Sequence, residues 1–368
     1  MIRVLYIARY HHESMHRKVD LLAAQPDVCL RYIHPTERAT TMPYEQAVVP
    51  LRGDLTDPHR LRYGAFAFGL NAFKPDIVYV EEEPDSIAAI QLVLARALFA
   101  PRAKLVLYTW QNVNRPKQFV VRAILHAALH AADAIVCANT AAAQLLRCYG
   151  YQRPTPVIPA IGVDTDTFKP KLNQKQGGTF TVGYAGRLVP EKGLTVLLDA
   201  LALCQQQHRL VQLVFMGDGP ERAMLQSYAQ SLSLNDTNGT NVTFAGALPL
   251  PQVAQRMSDF DALVLPSLST AVWQEQFGRV LTEAMACGVP VIGSRSGAIP
   301  EVIGDAGLLF PEGDAVALAN CVRQLMDSPD LHAELRARGL ARVEAYFTQA
   351  QLATQTAAFL RQLSSMGK

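Results

Sequence analysis

No segment of the 368-residue chain is both long and apolar enough to suggest a membrane span. A transmembrane helix needs roughly 20 consecutive apolar residues, and charged or polar residues interrupt every apolar run well before that length. Cysteine pairs at short spacing are also missing. The six cysteines fall singly in predicted strands and helices, which favours reduced, mostly buried thiols over disulfides or a zinc site. With no secretion signal ahead of the first strand, we expect a cytoplasmic protein.

A large excess of charge of one sign is missing too. The chain has 34 basic and 32 acidic side chains, for a net charge of +2. Residues 1–160 hold 18 basic and 13 acidic side chains, so the first half is mildly basic. A nucleic-acid-binding domain would show a much stronger basic stripe, and we therefore expect no nucleic acid partner. The mild excess is compatible with a partner that is anionic or held at a membrane.

The length and the alternation of strands with helices predict an α/β protein of two domains. A chain of 368 residues exceeds one typical core, and the alternation favours parallel sheets covered by helices. Prolines and glycines from residue 158 to residue 170, followed by a polar run, indicate a linker. The predicted divisions are a first domain at 1–157, the linker at 158–178, a second domain at 179–345 and a final helix at 346–368.

The segment 275–303 combines two glutamates with the predicted start of a helix. The first amides of a helix have no intrahelical partner and attract anions such as phosphate. Glu283, inside the helix, can accept two hydrogen bonds from a vicinal diol such as a ribose, and Glu275 lies outside it, where it can meet other hydroxyls. By spacing alone, two solvated surface glutamates are the simpler interpretation. The residues expected to supply the amides are Phe277, Gly278, Arg279 and Val280.

A second polar cluster follows the predicted strand 180–184. The loop after it carries Arg187, whose planar fork suits a phosphate edge, and Lys192, a mobile point charge. A later strand ends in Gly217-Asp-Gly-Pro220, which lacks the third glycine of a dinucleotide-binding Gly-x-Gly-x-x-Gly motif. Ligands of doubly wound sheets bind at the C-terminal ends of the strands. Three residues at such ends are therefore further candidates for ligand binding: Gly186, Gly217 and Pro266.

These segments, together with the linker pattern Gly162-Val-Asp-x-x-x-Phe-x-Pro170, resemble glycosyltransferase family 4. The resemblance is strongest over residues 155–345. It implies the GT-B fold, in which two Rossmann-like domains with parallel sheets face each other across a cleft and the C-terminal helix crosses back to the first domain. It also implies a retaining, metal-independent transfer of sugar from a UDP- or GDP-linked donor, without a further cofactor, to an acceptor bound by the first domain.

The resemblance assigns roles to the residues of the donor side. It implies that Arg187 and Lys192 neutralise the diphosphate of the donor, on which negative charge develops as the glycosidic bond breaks. It further implies that Glu275 positions the sugar and that Glu283 holds the ribose. The amides of residues 277–280 would hold phosphate and sugar.

The polar loop after the first strand is a candidate for the acceptor side. Many members of the family carry a glycine pair at this place, and this chain instead has the sequence Arg9-Tyr-His-His-Glu13. His11, His12 and Glu13 are therefore candidates to contact the acceptor. Solvated loop residues are an equally good interpretation of the two histidines.

Two further strands end in polar residues that extend the acceptor side. Glu83 closes an acidic triplet after the strand at 75–80, although acidic capping of a helix beginning near Pro84 would also explain that triplet. After the next strand, Gln111 stands where many relatives place a histidine, which puts a histidine general base in doubt. A side-chain or backbone carbonyl of Gln111 could instead stabilise a developing oxocarbenium ion. Asn112 and Arg115 follow it as acceptor candidates.

The segment Arg115–Ala132 predicts a basic amphipathic helix. Such a helix either packs on its own sheet or lies at a membrane surface. The second interpretation would suit a peripheral protein and a lipid-linked or cell-envelope acceptor.

Two other kinds of function remain open from the sequence. A sugar-nucleotide epimerase could share the architecture, but it would need acid and base groups acting on the sugar ring. A non-catalytic nucleotide-sugar-binding partner would keep Arg187, Lys192 and Glu283 yet show no turnover. An NAD-dependent enzyme is disfavoured by the incomplete glycine motif.

Overall fold

The chain divides into two compact units. Met1–Gly162 and Gln349–Lys368 form the first, and Val163–Thr348 form the second. The computed structural model describes residues 1–9, 13–36, 44–53, 57, 59–171, 179–234 and 240–366.

The first unit is built on a parallel sheet of six strands in the order β3-β2-β1-β6-β7-β8. These strands are β1 Ile2–Ala8, β2 Val28–His34, β3 Glu45–Val48, β6 Ile77–Glu81, β7 Lys104–Thr109 and β8 Ala134–Cys137. A short antiparallel pair accompanies the sheet, formed by β4 Leu51–Arg52 and β5 Arg62–Tyr63. The helices are α1 Glu13–Ala23, α2 Leu70–Phe73, α3 Ile87–Phe99, α4 Phe119–Ala131 and α5 Thr140–Cys148.

Helices bury both faces of this sheet. Strand β1 alternates between two hydrophobic clusters, with Leu5 in one and Val4 in the other. The C-terminal helix α13 Gln349–Ser365 belongs to the first unit, where it packs beside α1 and places Leu352 and Leu360 in the same cluster as Val4. Both faces are therefore apolar, as is typical of a parallel sheet in an α/β protein.

The second unit repeats the same design, with the strand order β11-β10-β9-β12-β13-β14. Its strands are β9 Phe180–Ala185, β10 Val211–Met216, β11 Asn241–Gly246, β12 Ala262–Leu265, β13 Val291–Ser294 and β14 Gly307–Phe310. A 3₁₀ turn covers Pro190–Lys192, and the helices are α6 Leu194–Gln206, α7 Arg222–Ser231, α8 Leu250–Met257, α9 Arg279–Ala286, α10 Ile299–Ile303, α11 Ala315–Asp327 and α12 Pro329–Tyr346.

The prediction of two Rossmann-like domains with parallel sheets is confirmed. In each unit the strand order reverses beside the first strand of the sheet, β1 in one and β9 in the other. Such a reversal opens a crevice at the C-terminal ends of the strands, and this is where doubly wound proteins bind ligands. The fold thus directs attention to the loops after β1 and β6 and to those after β9 and β12.

Two local expectations need correction. Helix α3 begins at Ile87, where the hydroxyl of Ser86 accepts a hydrogen bond from the Ala89 amide at 3.1 Å. The acidic triplet ending at Glu83 therefore lies outside the first turn, and the capping explanation was wrong. The basic helix α4 begins at Phe119 rather than at residue 115.

Helix α4 packs on its own sheet through one face only. Leu125, Ala128 and Leu129 are buried in the core of the first unit. Phe119 is 76% exposed and Val120 is 65% exposed. None of the described helices is long and apolar enough to cross a bilayer.

A close packing contact inside β9 gives a test of the second sheet. A Cβ added to Gly183 would lie 2.0 Å from the ring of Phe260. Because the buried ring has little room to move, Gly183→Ala should lower the free energy of unfolding by about 1–3 kcal/mol, the usual cost of overpacking. Urea denaturation of the purified protein would measure it.

The control is the same substitution in a Phe260→Leu background, because a smaller side chain leaves room for the new methyl group. The cost of Gly183→Ala should then shrink, so that the two effects are not additive. An equal cost in both backgrounds would show that the ring is not the obstacle.

Candidate active site

An ion pair between Lys192 and Glu275 forms the centre of the site in the second unit. The Lys192 Nζ atom lies 2.5 Å from Glu275 Oε2, and the hydroxyl of Ser267 donates to the same oxygen at 2.9 Å. Glu275 and Ser267 are buried. A charge-assisted contact in such a dry environment is stronger than the same pair at the surface. The sequence predicted both charged residues, but not their direct contact.

Backbone geometry brings Lys192 to this place. Gly193, directly after the 3₁₀ turn, has a φ of 61°, a conformation that favours glycine. A Cβ at this position would also lie 2.3 Å from the carbonyl oxygen of Pro266. The lysine loop after β9 can therefore pack tightly against the end of β12. Pro266, a predicted donor-binding residue, takes part through its backbone.

Trp273 completes the surroundings of the lysine. Its ring centroid lies 4.9 Å from Lys192 Nζ, a cation–π contact. No sequence pattern marks Trp273 or Ser267, because both lie in an irregular loop. The backbone of the loop is fixed at Glu275, whose carbonyl accepts from the Ala298 amide at 2.9 Å.

Arg187 lies near the same strand end but is oriented differently. Its side chain is 73% exposed, and its guanidinium lies 3.7 Å from the carboxylate of Glu191, four residues further along the chain. The backbone carbonyl of Arg187 accepts a hydrogen bond from the Tyr184 hydroxyl at 2.7 Å. The loop is thereby anchored, while the charged end of Arg187 is solvent-accessible.

The predicted helix start is at α9. Gly278 is its N-cap, so Arg279 and Val280 provide the first helical amides. Phe277, by contrast, is buried and packs edge-on against Phe347 at 5.8 Å between ring centroids. The side chain of Phe277 therefore stabilises the core, whereas the amides of Arg279 and Val280 belong to the positive end of the helix dipole.

Glu283 lies just over one turn into α9 and is buried. Arg279 Nε is 3.0 Å from its Oε1 atom. Burial raises the pKa of Glu283 to about 7, and the neighbouring Arg279 opposes that rise. A carboxylate held in this way by a single partner keeps acceptor sites for further hydroxyl groups.

The glycines predicted for donor binding connect the ends of adjacent strands. The Gly186 amide donates to the Met216 carbonyl at 2.9 Å, and the Gly217 amide donates to the Gly246 carbonyl at 2.8 Å. A Cβ at Gly217 would lie only 1.8 Å from the Gly186 carbonyl oxygen. Both glycines thus allow close packing of the loops after β9 and β10.

The first unit contains a cavity of about 210 Å³. It lies at the C-terminal ends of β1, β6 and β7, and its wall is formed by Arg9, His59, Glu81, Glu82, Glu83, Tyr108 and Trp110. The predicted acceptor residue Glu83 is among them. It accepts hydrogen bonds from the Thr109 hydroxyl and the Trp110 amide, both at 2.7 Å. Burial raises the pKa of Glu83 to about 7, and these hydrogen bonds oppose the rise.

Gln111 is held in a network beside this cavity. Its Nε2 donates to both carboxylate oxygens of Asp85, at 2.9 and 2.8 Å, and its Oε1 accepts from Lys117 Nζ at 2.9 Å. Lys117 also contacts Asp85 at 2.6 Å. The side-chain carbonyl of Gln111 therefore already has a donor. No local sequence pattern indicates this network, because it joins the loop after β6 to the loop after β7.

His59 is the third partner of Asp85. The two atoms His59 Nδ1 and Asp85 Oδ1 are 3.0 Å apart. The hydrogen bond to Asp85 raises the pKa of His59, and burial opposes that rise. Burial would raise the pKa of Asp85, but hydrogen bonds from His59, Lys117 and Gln111 outweigh it and hold the pKa below its usual range. No sequence pattern marks His59, which lies in a turn between β4 and β5.

Only some of the remaining acceptor candidates lie among the described residues. Asn112 and Arg115 are half-buried in the segment between β7 and α4. His11 and His12 lie outside the described residues. Glu13 begins α1, and its side chain also lies outside the description. Within the described part of the chain, no three His, Cys, Asp or Glu side chains are placed to hold a metal ion.

The architecture, two doubly wound units, is that of GT-B glycosyltransferases. A crystal structure of Anabaena HepE in complex with UDP superposes with a TM-score of 0.75 at 21% identity, over 98% of this chain and all of that one. Sucrose-phosphate synthase from Thermosynechococcus elongatus gives 0.74 at 21% identity over the whole of both chains. At this identity the likeness establishes the fold.

The sequence of the second unit matches a known family. Residues 165–342 match the family described as glycosyl transferases group 1. The matched segment includes Arg187, Lys192, Glu275 and Glu283.

Named relatives have different substrates. The 2-deoxystreptamine glucosyltransferase of Streptomyces kanamyceticus is 28% identical over 61% of this chain and 60% of its own. The N-acetyl-α-D-glucosaminyl L-malate synthase of Bacillus anthracis is 36% identical over 39% and 35%. The amylovoran biosynthesis glycosyltransferase AmsK of Erwinia amylovora is 30% identical over 56% and 51%. The chain thus spans about half the length of the curated relatives it matches.

The contact between His59 and Asp85 predicts a measurable titration. In Asp85→Asn the acceptor loses its charge, so the pKa of His59 should fall relative to the unaltered protein. An NMR titration of the imidazole protons would follow it. Glu45→Gln, which changes an exposed carboxylate of the same unit, should leave the His59 titration where it was. An identical His59 curve in Asp85→Asn would contradict the pairing.

Proposed function

We propose that the protein is a retaining, metal-independent glycosyltransferase of family 4. It would transfer a sugar from a UDP- or GDP-linked donor to an acceptor bound by the first unit. The observation that carries the proposal is the contact of Lys192 with the buried Glu275, within the segment that matches the glycosyl transferases group 1 family. Lys192 offers a cation for a phosphate, and Glu275 offers a carboxylate for sugar hydroxyls. The two groups lie within hydrogen-bond distance of each other.

The donor-side roles follow from charge and geometry. Lys192 has little freedom, since Glu275 and Trp273 flank it, so its charge is preorganised for the leaving diphosphate. Arg187 is exposed and can turn onto the same phosphates. The first amides of α9 would bind the phosphate and sugar, and Glu283 the ribose hydroxyls.

The proposed transfer is a displacement on one face of the sugar. The bond between the anomeric carbon and the diphosphate oxygen breaks, and its electron pair leaves with the nucleoside diphosphate. The acceptor oxygen forms the new bond to the anomeric carbon, and its proton passes to the leaving phosphate oxygen. Because Lys117 already donates to the Gln111 side chain, the backbone carbonyl of Gln111 is the better candidate to stabilise the oxocarbenium ion.

We infer a polysaccharide or lipid-linked glycan as the acceptor class. A relative named for amylovoran biosynthesis supports this, and the protein would act in the cytoplasm at the inner face of the membrane. The first unit would hold that acceptor at the cavity that includes Glu83.

Removing Lys192 tests the donor side. In Lys192→Ala the diphosphate loses one positioned cation, so the transfer rate should fall by about 10²–10³-fold. The assay follows nucleoside diphosphate release, after a thermal-shift screen of UDP-, GDP- and dTDP-sugars has identified the donor. Lys169→Ala, an exposed lysine of the same unit, is the matched control and should keep full activity. A fully active Lys192→Ala protein, or a screen in which no nucleotide sugar raises the melting temperature, would refute the proposal.

Membrane contact is proposed through the start of α4. Phe119 and Val120 are largely exposed and lie one turn or less from the exposed Arg122, a combination that suits an anionic lipid surface. The double variant Phe119→Ser/Val120→Ser should bind less to vesicles containing phosphatidylserine in a flotation assay. Met224→Ser/Val316→Ser, which removes two exposed apolar side chains of the second unit, should bind normally. Equal retention of both variants would remove this contact from the proposal.

A further inference from the structure

The cavity of the first unit has the size of a small polar ligand. Its volume is about 210 Å³, well above the roughly 10–15 Å³ that one buried water needs. The space is therefore large enough for a polar ligand bigger than water. Its wall consists mainly of carboxylates and aromatic rings, as described above.

Two buried carboxylate oxygens in this wall, Glu81 Oε2 and Glu82 Oε2, have no hydrogen-bond partner among the described residues, and only the second forms an ion pair, with Arg9. The side chain of Glu81 is 3% exposed. Its Oε1 atom accepts from the Tyr6 hydroxyl and from Lys18 Nζ, the latter at 2.8 Å, but its Oε2 atom has no partner among the described residues. An unsatisfied buried acceptor costs about 1–3 kcal/mol. A ligand that donates a hydrogen bond to Oε2 would remove that cost.

The charges around the cavity compensate one another. Glu81 pairs with Lys18, and Glu82 pairs with Arg9 through two contacts. The Tyr63 hydroxyl donates to Glu82 as well, at 2.8 Å. His59 is committed to Asp85 in the same way. Among the described residues of the wall, every cation is therefore engaged by a carboxylate, and a phosphate would have to displace one of them.

An aromatic ring provides the remaining recognition surface. Trp110 is half-buried in the wall and lies 5.5 Å from Tyr108 between ring centroids. The faces of such rings bury the apolar C–H surface of a ligand, while the polar groups around them fix its orientation.

We propose that this cavity binds an uncharged, hydroxyl-bearing sugar unit, with one hydroxyl donating to Glu81 Oε2 and the apolar face of the ring against Trp110. The identification of this unit as part of the acceptor rests on the glycosyl transfer proposed above. The binding itself does not depend on it.

Trp110 allows this binding to be observed directly. The chain has two tryptophans, so Trp273→Phe leaves Trp110 as the sole tryptophan. Methyl glycosides of glucose, mannose and N-acetylglucosamine are titrated into this variant without any donor, alongside glucose 6-phosphate and glucosamine. At least one neutral glycoside should change the Trp110 fluorescence saturably, and the phosphate and the amine should bind more weakly than that glycoside.

Glu81→Gln tests the predicted hydrogen bond. The amide retains the shape of the side chain and a partner for Lys18, but replaces a carboxylate acceptor at the cavity, so the neutral glycoside should bind about fivefold more weakly. Glu45→Gln is the control and should bind unchanged. If Glu81→Gln does not fold, Trp110→Leu followed by ligand-observed NMR should show at least the same loss.

Three outcomes would overturn the proposal. They are a glucose 6-phosphate or glucosamine affinity above that of every neutral glycoside, no response to any glycoside up to its solubility limit, and unchanged binding in both Glu81→Gln and Trp110→Leu. The donor screen is independent of all three. Glycoside binding without donor binding would refute glycosyl transfer alone, and donor binding without glycoside binding would refute this inference alone.

Discussion

The contact between Lys192 and Glu275 joins segments that lie 83 residues apart in the chain. It depends on a tight approach of backbones, because the loop that carries the lysine meets the end of β12 where Gly193 leaves no room for a side chain. Burying two charges costs solvation that their attraction only partly returns. The pair is therefore poorly explained as a source of stability and well explained as a preorganised arrangement of charge for a ligand.

The first unit follows the same physical pattern with different residues. Glu81 and Glu82 end β6 inside the protein, and Lys18 and Arg9 reach them from α1 and from the loop after β1. Burial raises the pKa of Glu81 to about 8 and lowers the pKa of Lys18 to about 7. A pair that shares one proton has no net charge, and Glu81 Oε2 is an acceptor for the cavity while that proton lies on Lys18.

The sequence was informative where local patterns determine structure. The apolar run at residues 180–184 predicted a buried strand that the structure confirms, and the short motifs around Lys192 and Glu283 predicted the donor side, which stays a prediction. Side chains that act through distant partners were not predictable. His59 lies in a turn and matters only because Asp85 folds beside it, and Trp273 lies in an irregular loop. The sequence showed the acidic triplet ending at Glu83, but whether that triplet caps a helix depended on where α3 begins.

The two units differ in the charge that their sites offer to a ligand, and this difference bears on where a transferase of this kind could bind its two substrates. In the second unit Lys192 is held by Glu275, but the Arg187 side chain is 73% exposed, so a cation is accessible to a phosphate. In the first unit each described cation of the cavity wall is held by a carboxylate, and the unsatisfied atom is an acceptor. A group that brings negative charge therefore finds its complement in the second unit, and a group that brings hydroxyl donors finds it in the first. In the proposed transfer, this difference would favour the nucleotide diphosphate at the second unit and the hydroxyl-rich sugar at the first.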